Sequence, residues 1–233
     1  MSPTSSAATH AGAVRPRNED NLVDRSDLGL WAVADGAGGH GLGDVASTAI
    51  AEALGSIPPG LSAAEMLAQV RLRLTAVHAD LQARALLRGQ GSIIASTIVV
   101  LLVRGGHFAA LWAGDSRIYL QRGGALHRIT HDHSLVQELV DSGALSAEEA
   151  ERHPQANVIT RAIGAEGPLE LDKVADRLHP GDRFMLCSDG VFKELPEAEI
   201  ARHLSQGVEA HELVQRAVAA GGRDNVTVVV VQA

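Results

Sequence analysis

LWAVADGAGGH, residues 30–40, is an apolar run that stops at an acid and opens into glycines. A short apolar run bounded by turn residues reads as a buried β-strand. Taken singly, an aspartate closing such a strand is a turn residue, because it tolerates left-handed dihedrals and bonds its own backbone. The same ending recurs along the chain. AALWAGD ends at Asp115, RFMLCSD ends at Asp189, and Asp224 stands just before the valine run VTVVVV. Carboxylates at equivalent strand ends can converge on one edge of a sheet or of two packed sheets. At close range they all stay ionised only with a cation among them. All-oxygen ligation favours Mg²⁺ or Mn²⁺ over zinc or copper. The pattern predicts a hard-metal site at the edge of a β structure.

Around that strand, residues 10–35 read as short strands split by turns, with residues 27–29 joining two of them. At residues 42–57 apolar side chains recur at helical spacing (Val45, Ala49, Ala53, Leu54, Ile57), and Pro58-Pro59-Gly60 stops the helix. Ser62 and Glu65 form a capping box that opens a second helix. Its stripe of Met66, Leu67, Val70, Leu74, Val77 and Leu81 carries it to residue 87. Strands are predicted at 96–103, 107–113, 117–121 and 126–129, with the glycine pairs 105–106 and 123–124 as hairpin turns. Residues 134–150 read as two short helices joined at Ser142-Gly143, with Ser146 capping the second. Further strands are expected at 170–175, 183–188 and 225–231, and helices at 196–204 and 209–219. Strands and helices are grouped instead of alternating, which predicts an α+β fold with antiparallel pairing.

The 233 residues are 45% hydrophobic, enough for one large core, and no linker or repeat divides them. A single domain over residues 1–233 is expected. A formal charge of −8 argues against nucleic acid as the main partner, since phosphate backbones attract basic surfaces. The N-terminal MSPTSSAATHAGAV lacks the basic and apolar regions of a secretory signal. No run reaches the roughly 18 apolar residues of a membrane span. The lone Cys187 lies in an apolar run and reads as a small buried hydrophobe, so no disulfide forms within the chain. The expectation is a monomeric cytoplasmic protein with no membrane or nucleic-acid partner.

RPRNED, residues 15–20, sets two arginines just before adjacent carboxylates. Alone it reads equally well as a charged surface hairpin or as a phosphate-binding guanidinium beside metal-organising acids. Arginine suits the second role because its planar fork can hold two phosphate oxygens. In DGAGGH, residues 35–40, glycines permit close backbone approach and expose carbonyls to a hard cation. No Walker lysine follows, so nucleotide binding finds little support. His131-Asp132-His133 has the form of an HxH metal pair and makes a zinc hydrolase the runner-up. No HExxH or HxHxDH string accompanies it, and a turn is the simpler reading.

The order RPRNED, DGAGGH, AGDSR (residues 113–117), SDG (188–190) and RDN (223–225) resembles the metal-dependent protein phosphatases of type 2C. The likeness runs from about residue 10 to residue 231. It extends to the bacterial branch through the stretch 129–164, which in that branch forms a flap beside the active site, and the chain as a whole resembles bacterial phosphatases associated with type VI secretion. The resemblance implies an antiparallel β-sandwich flanked on both faces by pairs of α-helices, with 134–161 as the flap. It implies a serine/threonine protein phosphatase that uses two core Mn²⁺ or Mg²⁺ ions, with room for a third. Phosphorylated proteins, a Ser/Thr kinase among them, are the implied partners; the alternative is an inactive phosphatase-like binding module.

Carried over residue by residue, Asp35 is the carboxylate bridging two metals and Gly36 offers its carbonyl to one of them. Asp189 and Asp224 complete the core. Glu19 and Asp20 match positions that hold metal-bound waters or ligate at the edge, and Asp115 matches the ligand of a third ion. Arg15 matches the phosphate-binding arginine, whereas Arg17 falls at a variable position. Asn225 is expected to orient the last metal ligand. Two departures stand out. Ala37 replaces the histidine that follows the DG pair in animal members, with His40 three residues later, and Ala95-Ser96-Thr97 stands where the family has a glycine-threonine strand signature.

Overall fold

The computed structural model describes residues 3–37, 42–89 and 91–233. Two antiparallel sheets face each other. The first holds β1 (Thr4–His10), β11 (Val226–Gln232), β10 (Arg183–Cys187), β7 (Arg117–Arg122) and β8 (Ala125–Arg128) in that spatial order. The second runs β2 (Asp20–Arg25), β3 (Leu30–Ala37), β5 (Ile98–Arg104), β6 (His107–Ala113) and β9 (Asp172–Arg177). A two-residue strand, β4 (Ala95–Ser96), pairs with the end of β3. Strand alternation builds three apolar layers. Trp31 and Val33 of β3 meet Phe184, Leu186, Val229 and Val231 between the sheets. Leu30, Ala32 and Ala34 of the same strand turn outward against α1 (Gly43–Gly55) and α2 (Ala63–Arg88). Val226, Val228 and Val230 turn the other way, against α5 (Asp189–Phe192), α6 (Glu197–Ser205) and α7 (Ala210–Ala220). The result is the expected four-layer α+β sandwich.

The capping box at Ser62 is present, with the Ser62 hydroxyl accepting from the Glu65 amide and the Glu65 carboxylate accepting from the Ser62 amide. Where the sequence expectation slips is the face of α1. Gly43, Ala46, Ser47, Ile50 and Leu54 are buried, while Val45, Ala49 and Ala53 only flank the core. That helix carries apolar residues on both sides, so periodicity alone could not choose the face; the buried one sends Ile50 and Leu54 into the core and sets Gly43 against Gly36 of β3. The four-residue α5 and the tiny β4 were not foreseen, both being shorter than any periodic signal. Between β8 and β9 the chain forms α3 (Leu135–Asp141) and α4 (Ala147–Glu151), capped by Ser134 and Ser146. Among the described residues, no helix is long and apolar enough to cross a membrane.

Candidate metal centre

Asp35 does not end its strand. β3 runs on through Gly36 and Ala37, because β4 pairs Ser96 with Gly36 and Ala95 with Ala37. The Ser96 hydroxyl donates to the Asp35 carbonyl at 2.9 Å, and the Thr97 hydroxyl accepts from the Asp35 amide at 3.2 Å. Alanine in place of the family's glycine fits there as an ordinary strand residue, and the hydroxyls beside it fix the backbone of Asp35. The other three aspartates sit just off strands at the same edge of the sandwich. Asp115 follows β6, Asp189 opens α5 after β10, and Asp224 precedes β11. Arg15, Glu19, Asp35, Gly36, Asp115, Asp189, Asp224 and Asn225 all line one cleft of about 580 Å³. Of the residues singled out in the sequence, Asp20 alone lies beneath that surface. It is paired in register with Asp35 and 7% exposed.

Backbone proximity makes the convergence possible. A Cβ on Gly36 would come within 2.3 Å of the Gly43 carbonyl and 2.5 Å of the Glu19 carbonyl. Glycine at 36 and 43 thus lets β3, the start of α1 and the Glu19 loop touch. The Asn225 side chain bonds the 11–19 loop, not Asp224. Its oxygen accepts from the Glu19 amide at 2.8 Å, and its nitrogen donates to the Ala11 and Arg17 carbonyls at 2.9 and 2.8 Å. The Asn225 amide, not its side chain, reaches the Asp224 carboxylate, at 2.9 Å. Asn225 therefore fastens the whole 11–19 loop to the sheet edge. Arg15 donates to Asp224 Oδ2 at 2.7 Å.

The acids strain against one another. Burial, then Asp20, Asp189, Asp115 and Asp224, holds the Asp35 carboxyl well above the ordinary carboxylate range. Burial pushes Asp20 up to about 7, although Thr227 and Ser188 donate to its Oδ2 at 2.6 and 2.8 Å. Asp115 is likewise pushed up to about 7 by burial and then by Asp189. Glu19 is raised by burial and by Asp44. Among the described residues, Asp20 Oδ1 is buried without a hydrogen-bond partner. Such a set stays ionised near neutrality only beside added positive charge. Among the described residues, no three His, Cys, Asp or Glu side chains are gathered so as to hold an ion by themselves. A small hard cation does not require that, because Mg²⁺ keeps several waters and takes one or two carboxylates. The oxygen-only donors, their mutual repulsion and the orphaned Asp20 oxygen fit Mg²⁺ or Mn²⁺.

The histidine motif dissolves into separate partners. His131 Nε2 meets Asp141 at 2.7 Å, Arg117 Nη2 donates to Asp132 at 2.7 Å, and His133 Nε2 meets Asp172 at 3.2 Å. His133 also exchanges backbone and ring bonds with Gly114, so the segment is a turn strapped beside Asp115. His40 lies outside the described residues. Cys187 is fully buried, and burial pushes its thiol up, away from any nucleophilic role. Sequence reasoning noted Ser96 and Thr97 only as a departure from the strand signature, and it missed Thr227 and Lys193. Thr227 had a visible signal, a hydroxyl alone among valines; Lys193 had none.

An antiparallel sandwich with helices on both faces and an oxygen-lined, arginine-flanked cleft at one edge defines a class of metal-dependent protein. The chain belongs to the protein phosphatase 2C family, whose profile matches residues 10–220. PppA of Pseudomonas aeruginosa, a key regulatory component of its T6SS, aligns with a TM-score of 0.90 at 40% identity, over 99% of this chain and 97% of that one. The catalytic domain of the phosphatase PstP, in complex with two manganese ions, aligns with a TM-score of 0.83 at 35% identity, over 99% and 97%. Serine/threonine protein phosphatase PstP of Mycobacterium tuberculosis is 37% identical over 231 residues, 96% of this chain. The chain spans 44% of the length of that relative.

Proposed function

We propose that this chain is a metal-dependent serine/threonine protein phosphatase, a single catalytic domain over residues 1–233 that acts in the cytoplasm as a monomer. The observation that carries the reading is the convergence of Glu19, Asp35, Asp115, Asp189 and Asp224, from separate parts of the chain, on one cleft with Arg15 at its wall. When bound, two hard divalent cations supply a hydroxide nucleophile from water at neutral pH and neutralise phosphate charge. Asp35, whose ionisation is opposed by burial and by Asp20, Asp189, Asp115 and Asp224, would be shared by the ions. Asp189 and Asp224 would hold them from the side of the first sheet, and Glu19 and the Gly36 carbonyl from that of the second. Asp20, beneath the floor, braces Ser188 and Thr227 under the site.

Arg15 spends one nitrogen on Asp224 and keeps further N–H donors of its fork for phosphate oxygens. Those donors stabilise charge that grows in the transition state. No side chain is assigned as the acid for the leaving alkoxide; water takes that part. No phosphoenzyme forms, since Cys187 is buried and its thiol is held neutral.

The substrates are phosphorylated proteins, and a bacterial Ser/Thr kinase with its targets is the opposing system. The likeness to a T6SS regulator makes the phosphoproteins of such a system the first to try. The intact set Asp35, Asp189, Asp224 and Arg15 speaks against an inactive binding module. Turnover of p-nitrophenyl phosphate and of a phosphothreonine peptide, with Mn²⁺ and after chelation, is the test. Activity with Mn²⁺ that vanishes on chelation is expected. No turnover of either substrate with metal present would return the inactive module to first place.

A further inference from the structure

Among the described residues, Lys193 is the one charged side chain lining the cleft that lies outside the motifs of the sequence. It closes α5 four residues after Asp189, and one helical turn brings its ammonium back onto the Asp189 carboxylate. The same nitrogen donates to Asn157 Oδ1 at 2.7 Å. Asn157 belongs to the 134–161 segment, whose helix α3 has no buried side chain. The fields of Asp115 and Asp35 also reach the ammonium, and that ammonium is the group that most lowers the Asp115 carboxyl. The family resemblance gives Asp115 to a third ion, and Asp189 is the acid whose field most raises the Asp115 carboxyl. The ammonium sits on Asp189 Oδ2 and leaves Oδ1 to a core ion. A further divalent ion at Oδ2 would meet the ammonium at contact distance and be repelled, so this corner admits one or the other.

We infer that the Lys193 ammonium takes the place of a third cation beside Asp115 and Asp189 and, through Asn157, ties the rim segment to the metal centre. The inference rests on the two-ion reading above and makes Lys193 a positioning residue. It differs from an ordinary surface ion pair in what it controls, namely the number of ions bound and the hold on the rim. Its 39% exposure leaves room for substitution without disturbing the core.

The test counts ions on chelator-stripped protein by calorimetric titration with Mn²⁺ and by elemental analysis after dialysis. The unaltered chain should take up two ions, Lys193→Met three, and Lys193→Arg two. Adding Asp115→Asn to Lys193→Met should return the count to two. With metal present, Asn157→Ala and Lys193→Met should both speed proteolytic cleavage within 134–161 severalfold, while Lys193→Arg should not. Three ions on the unaltered chain would overturn the assignment without any variant, as would an unchanged count in a folded Lys193→Met protein. Cleavage rates that ignore both substitutions would overturn the tie to the rim. No ion at all on the unaltered chain would sink the metal-dependent reading itself, and this inference with it.

Discussion

On the floor of the cleft, Asp35 rides on a strand whose Trp31 and Val33 are fully buried between two sheets, and whose Leu30 and Ala32 are buried under α1 and α2. On the rim, α3 buries no side chain and α4 buries only Ala150. The floor is fixed by apolar burial on both faces of a strand, so its carboxylates are held in place even while they repel one another. The rim hangs on polar straps: a bridge between Ser134 and Ile159, the His133 carbonyl accepting from Thr160, and Lys193 on Asn157. Segments with few buried contacts open at low cost in free energy. On the proposed function, the core would supply the rigidity that metal chemistry requires, and the rim the surface that a protein substrate meets.

The comparison breaks most sharply at the floor. Asp35→Asn and Asp189→Asn should each lower kcat by at least roughly 10²-fold, because each removes a carboxylate on which the activation of water depends. Chelation should abolish activity altogether. Steady-state kinetics in saturating Mn²⁺ check the variants. Full activity in metal-free protein would mean that the floor is structural and its acids idle.

Next in size is the wall. Arg15→Ala should cut kcat/KM by on the order of 10²-fold, since the fork bears on phosphate charge in both ground and transition states. Arg17→Ala should do far less: what Arg17 contributes to the loop is its backbone carbonyl, bonded to Asn225, and alanine keeps that. Equal losses for the two variants would show that the phosphate site is misplaced along the loop.

The floor was legible in the sequence because acids beside buried strands leave a local mark, an apolar run broken by Asp. The rim-to-floor links were not. Arg15 and Asp224 are 209 residues apart, and Lys193 joins Asn157 across 36. Nothing periodic marks a lone lysine in VFKELP. The face of α1 was only partly legible, Leu54 being buried as expected and Val45, Ala49 and Ala53 only flanking the core, because apolar residues stand on both sides of that helix. Asn225 meets the Asp224 carboxylate through its backbone N–H, while its side chain carries the 11–19 loop, a role visible only when three backbone partners come together.

A smaller effect lies where floor and rim join. His133 is 6% exposed, and its Nδ1 accepts from the Gly114 amide at 3.2 Å, a bond that a protonated ring cannot accept. Burial lowers its pKa below the ordinary histidine value, and Asp172 only partly offsets this. The unfolded chain then takes the proton first as pH falls. The His133 contribution to stability is complete above about pH 6.5 and is lost as pH drops through the lower folded value, at no more than about 1.4 kcal/mol per pH unit. Urea unfolding of the unaltered chain and of His133→Gln between pH 7.5 and 5 should show a shallower pH slope in the variant (roughly the range in which histidine titrates). Parallel slopes would remove His133 as the joint between the two regions.

The smallest expected effect belongs to the exposed face of the rim. Glu148 and Arg152 stand in and just after α4, and Val158 is 42% exposed beside the bridge to Ser134. A phosphorylated protein must lay residues on either side of its phosphate against some surface, and this is the one beside the cleft. A small aryl phosphate needs only the floor and Arg15. Glu148→Ala, Arg152→Ala and Val158→Ala should each change kcat/KM for a phosphopeptide by about threefold, the scale of a single residue at the edge of an interface. The rate with p-nitrophenyl phosphate should stay level. Because both substrates are measured on the same protein preparation, lost folding or lost metal would lower the two rates together. Proportional changes across all three variants would therefore deny the rim any selecting role and leave it a structural cover for the floor.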